Sequence, residues 1–209
     1  MKPRSPRLRN DASGTPFRRD DDRGAAFIEF LFAIPFLMIM VFGIVETGLA
    51  WRAVVQVNSA ARAGARVGSK DGNQASADFD TLAAISAALP SDLKDSSSGL
   101  VIVIFKASSS SGTVPPTCIT ATGSHGVNSG GIQCNTYTYA DLARPSSDFV
   151  CGVDSNWCPT TSRNVNLALD NMDYIGVYIQ TKHQNQTHTY FGDFTIKRQV
   201  VFRLEPNLP

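Results

Sequence analysis

Ser91-Asp-Leu-Lys94 has the S-x-x-K spacing in which a lysine amine can take the proton of an attacking serine. The companion S-D-N and K-T-G segments are missing, and Ser91 directly follows Pro90, so a turn is the better reading. No G-x-S-x-G, H-E-x-x-H or phosphate-binding glycine loop occurs. His125, His183 and His188 have no ligand spacing to a carboxylate or thiol, and solvated histidines are expected. These residues predict no enzyme, no catalytic residue, no bound metal and no cofactor. Aromatic residues are scattered and do not sit beside basic clusters, and the net charge is +1 (19 Lys+Arg, 18 Asp+Glu), which argues against nucleic-acid binding.

Cys118, Cys134, Cys151 and Cys158 are separated by 15, 16 and 6 residues in a Gly/Ser/Asn/Thr-rich stretch. Those gaps lack the short C-x₂₋₄-C pairs of a zinc site. An even count favours disulfides in an oxidising compartment. Four cysteines allow three pairings, and the expected one joins neighbours, Cys118 with Cys134 and Cys151 with Cys158.

One acidic residue stands in an unusual place. Glu29 lies five residues after Gly24, at the start of AAFIEFLFAIPFLMIMVFGIVETGLA (Ala25 to Ala50). Phe30 to Val45 carries no charge, and the whole stretch has the length of a membrane-spanning helix. A carboxylate in such a helix asks for a partner or a function; the plainer alternative is that it reaches the interface from near the helix end. Pro35 is tolerated in a spanning helix, with or without a kink.

The elements around this residue define four parts. Residues 1–24 hold seven Lys/Arg and four Asp with several Pro and Gly, and are expected to be an unfolded leader. Residues 25–50 form the span. From Trp51, Ala53, Val54, Val57, Ala60, Ala61, Gly64 and Val67 recur at helical spacing, so the helix is expected to continue to about residue 70, roughly 65 Å in all. Within it Ala60, Gly64 and Gly68 repeat every four residues, a spacing that lets a helix approach its own domain or another subunit closely. Residues 71–209 predict an α+β domain: a helix over Asp78 to Leu89, and strands over Leu100 to Ala107, Tyr174 to Thr181 and Phe194 to Leu204, with Cys118 to Pro159 turn-rich. The expected fold class is therefore α+β, a long N-terminal helix continuing into a small domain with a short helix and a few-stranded antiparallel sheet.

The combination resembles a known family. Arg23-Gly24-Ala25-Ala26-Phe27-Ile28-Glu29-Phe30, the internal Pro35, the G-I-x-E-x-G of Gly43 to Gly48 and the A-A-R-A-G-A-R of Ala60 to Arg66 are similar to the TadE-like pilins of tight-adherence (Flp) systems. Phe202 to Pro206 resembles the end of some members more loosely. The resemblance implies cleavage by a prepilin peptidase between Gly24 and Ala25. It also implies that Glu29, with the aromatic Phe30 after it, serves assembly by pairing with a neighbouring subunit's amine. Tyrosine is more usual than Phe at that last position. A 185-residue mature chain is long for the major Flp pilin, so the resemblance implies a minor pilin or pseudopilin. Its partners would be the membrane, other pilin or pseudopilin subunits, the prepilin peptidase and the pilus assembly machinery. The basic leader would remain cytoplasmic and the cysteine-bearing domain would be extracytoplasmic. Arg52, Arg62 and Arg66 after the span weigh the other way. Two alternatives stay open: signal-peptidase cleavage after Ala50, releasing a soluble domain, and an uncut membrane-anchored binding ectodomain.

Overall fold

The computed structural model describes residues 21–166, 172–185 and 192–206. The expected leader, apart from its last four residues, and His188 lie outside them. The chain divides into two compact units, residues 1–44 and 45–209.

The first unit is described from the start of helix α1 (Asp21–Asp71) to Ile44. The helix begins four residues before the expected Ala25, so the last leader residues have helical backbone. It carries Pro35 in its interior. Its apolar side chains are exposed: Phe32 is 73% and Phe36 70% accessible. The helix is long and apolar enough to cross a membrane, and no residue of its most apolar window is buried. A water-soluble fold would cover such a surface.

In the second unit the remainder of α1 is amphipathic. Ala53, Val57, Ala60, Ala61 and Ala65 are buried, whereas Arg52, Arg62, Arg66 and Lys70 are exposed. The buried set is mostly alanine. Each contributes little area, but small side chains bring neighbouring elements close to the helix axis. The helix stops where Gly72 takes a positive φ of 50°, its N–H bonded to Gly68 O at 3.1 Å. A left-handed residue after the last turn satisfies orphaned carbonyls, and glycine adopts it without steric cost. Helix α2 (Ala77–Ala88) follows and ends before Leu89-Pro90, since the residue preceding proline is pushed to extended backbone.

Five antiparallel strands form one sheet in the order β2-β3-β1-β4-β5: β1 (Val101–Ala107), β2 (Gly126–Ser129), β3 (Ile132–Thr138), β4 (Tyr174–His183) and β5 (Phe194–Arg203). The central β1 sets Ile104 opposite Asn135 on one side and Val177 on the other. Its alternation divides the core. Ile102 and Ile104 join the cluster containing Val57, Ala61, Leu82 and Ile85 of α1 and α2. Val103, Phe105 and Ala107 face the other way, with Cys118, Cys134 and Tyr178. On that face Gly176 lets the Phe105 ring lie against β4, where any Cβ would collide with it. Short helices α3 (Pro116–Thr120) and α4 (Pro159–Ser162) and several 3-10 turns complete the unit. The end of β5 is tied back to α1: Ser69 Oγ donates to Arg203 O at 2.5 Å, and Glu205 N–H donates to Ser69 O at 2.8 Å.

The β2–β3 hairpin replaces part of what reads as turn-rich sequence. Gly130 and Gly131 have φ of 59° and 82°, the pair of positive values a type I′ hairpin turn demands. The strands it joins bury Asn135 and Thr136, so they lack the apolar alternation that marks a strand.

Candidate functional site

Gly24, Ala25, Glu29 and Phe30 all lie on the exposed surface of α1. A Cβ on Gly24 would meet nothing within 4 Å. Ala25 and Glu29 are one turn apart, which puts them on the same side of the helix. Phe30, beside Glu29, is 57% exposed. A glutamate on an apolar, uncovered helix is costly in lipid unless a cation meets it. Glu46, by contrast, belongs to the second unit and is only 3% exposed.

The small-residue stripe faces the chain's own domain. A Cβ on Gly64 would run into Ile85 of α2, and Gly68 fits against Thr81 of α2 and Ile175 of β4. Ala60 is fully buried in the same core.

The cysteines are joined as sequence neighbours, Cys118–Cys134 and Cys151–Cys158. The first disulfide links α3 to β3 within the sheet's outer core. The second closes a loop containing the 3-10 turn Ser155–Trp157.

Ser91 and Lys94 do not meet as a reactive pair. Ser91 opens a 3-10 turn, and Lys94 Nζ donates to Ser86 O at 2.5 Å. His183 departs from the solvated expectation: it is 4% exposed and packs against Phe194, with ring centres 5.2 Å apart. It ends β4 directly opposite Phe194 of β5, which carries it into the covered side of the sheet. Among the described residues no group of His, Cys, Asp and Glu is arranged to hold a metal ion.

A buried polar centre that sequence reading missed joins α2, β3 and the Cys151–Cys158 loop. Asp78 of α2 forms a fully buried ion pair with Arg163. Its Oδ2 also accepts from Asn135 Nδ2 and from Tyr137 Oη, both at 2.7 Å. Asn135 in turn holds both backbone groups of Trp157: Trp157 N–H donates to Asn135 Oδ1 at 2.8 Å, and Asn135 Nδ2 donates to Trp157 O at 3.1 Å. The Arg163 guanidinium lies 4.4 Å from the centre of the Trp157 ring, a cation–π arrangement. Burial, followed by the Asp78 charge, pushes the Tyr137 phenol well above its ordinary range and keeps it a neutral donor. Asp78 and Arg163 are 85 residues apart in sequence, and no local pattern links them. This centre positions a loop; nothing in it points to a reaction.

Residues 24–66 match a family model described as TadE-like protein. Neither the curated proteins nor the solved structures gave a match. The matched segment runs from the glycine before the apolar stretch to Arg66 on the domain-packed part of α1. Over residues 24–66 this chain is similar to the TadE-like protein family.

Proposed function

We propose that the protein is a pilin-like structural subunit of a bacterial tight-adherence pilus or a related secretion system, in the position of a minor pilin or pseudopilin. The observation carrying this reading is the family match over residues 24–66 on a helix whose apolar surface is left uncovered. In this reading prepilin peptidase removes the leader after Gly24. The new amine on Ala25 then stands one turn from Glu29. Glu29 pairs with the amine of an adjacent subunit, which offsets the cost of a lone carboxylate among apolar helices. The leader lies in the cytoplasm, α1 crosses the membrane, and the disulfide-bonded domain is displayed outside, where oxidation is favoured.

Two substitutions separate the steps. In cells that build the pilus, Gly24→Val abolishes processing, read as retention of the longer chain, because a branched side chain crowds the scissile backbone. Glu29→Ala is processed but enters assembled filaments poorly. Normal processing of Gly24→Val contradicts the cleavage assignment; normal filament content with Glu29→Ala contradicts the pairing.

A further inference from the structure

We infer that the carboxyl group of Asp154 is the proton acceptor of a pH-sensitive latch, which holds the Cys151–Cys158 loop on the sheet tightly in acid and more loosely in alkali. The loop is anchored through Trp157, fully buried and gripped at both backbone groups by Asn135. Asp154 immediately precedes the 3-10 turn that carries Trp157, and is itself fully buried. Its side chain makes no capping hydrogen bond to that turn, and neither carboxylate oxygen has a well-formed partner.

The charges around it do not balance. Two buried carboxylates, Asp78 and Asp154, share one buried guanidinium, Arg163. Arg163 Nη2 is committed to Asp78, and Asn135 and Tyr137 both donate to Asp78 as well. Asp78 is thus fully served by these three donors, and Asp154 is the carboxylate left without such partners. The ionisable groups acting on Asp154 come from every side of the loop: Asp78 from α2, Tyr137 from β3, and Arg163 just beyond α4. Burial, then repulsion from Asp78, raises the Asp154 carboxyl to about 7; Arg163 and the backbone amides of Gly152 and Asp154 pull it down less.

The sign follows by linkage. The folded value lies above the unfolded one, so the favourable contribution is complete below the ordinary aspartate range. It declines as pH rises toward 7 and is gone above that. The repulsion acts across the contact between the loop and α2, because Asp154 sits on the loop and Asp78 on the helix. The loop is therefore where the loss is felt.

The test is hydrogen exchange on the full chain in detergent micelles between pH 5.5 and 8.5, corrected for the intrinsic pH dependence of exchange. Protection of the peptide spanning residues 151–158 should fall about tenfold or more across that range, as a carboxyl titrating near 7 loses its proton. Asp154→Asn should keep the acid-side protection throughout and remove the fall. Flat protection in the wild type overturns the latch, and so does a fall that persists in Asp154→Asn. If that variant does not fold, the carbon-13 carboxyl signal of Asp154 in the wild type decides: a midpoint near 7 supports the latch, and a midpoint near 4 overturns it.

Discussion

Gly68 of α1 sits against Ile175 of β4 so closely that a Cβ on the glycine would lie 2.7 Å from Ile175 Cδ1 and 2.8 Å from Thr81 Oγ1. The helix that carries the family match is thus built into the second unit's core through its last turns, where both β4 and α2 pack against it at Gly68. The small-residue spacing of Ala60, Gly64 and Gly68 allows packing on the chain's own domain or on another subunit, and at Gly68 the chain's own core takes that place.

This contact predicts the outcome of enlarging it. Gly68→Val should destabilise the domain by about 1–3 kcal/mol, the usual cost of forcing methyl groups into a packed site. Urea unfolding of the detergent-solubilised full chain, followed by Trp157 fluorescence, measures it. An unchanged midpoint would show that the helix does not pack as described.

The buried ion pair predicts an asymmetry. Asp78→Ala leaves Arg163 charged, buried and without its anion, and should cost about 3–5 kcal/mol. Changing both residues, as in Asp78→Ala with Arg163→Met, removes the charge problem and should recover part of that loss. A double variant as unstable as the sum of the two single ones would contradict a coupled pair.

The disulfides predict a peptide map. Proteolysis of the non-reduced protein should release peptides linking Cys118 to Cys134 and Cys151 to Cys158. Replacing Cys118 and Cys134 together by serine should cost about 3 kcal/mol by loop-closure entropy for a 16-residue separation. Cross-linked peptides of any other pairing would refute the assignment.

How much of this was legible in the sequence varies with the kind of signal. The long helix could be read because the uncharged run from Phe30 to Val45 and the spacing of Ala53, Val57, Ala60 and Gly64 are local and periodic. β1, β4 and β5 announced themselves through β-branched and aromatic runs. β2 and β3 did not, because Asn135 and Thr136 are buried for their hydrogen bonds rather than for apolarity; only Gly130-Gly131 marked the hairpin. The polar centre was illegible for a related reason. Asp78 reads as an ordinary acid in the first turn of a helix, and its partners Asn135, Tyr137 and Arg163 lie 57, 59 and 85 residues away. Only the sheet pairing brings them together. Gly24 and Glu29 were conspicuous for the opposite reason, since a lone acid at the edge of an apolar run stands out in any reading.

The central claim is tested most directly by the N-terminal residue of the protein from native membranes, determined by peptide mass spectrometry. A pilin-like subunit predicts a chain that begins at Ala25, with Glu29 as its fifth residue. A chain beginning at Trp51 would mean release of a soluble domain by signal peptidase, and one retaining residues 1–24 would mean an uncut anchor; either would contradict the account.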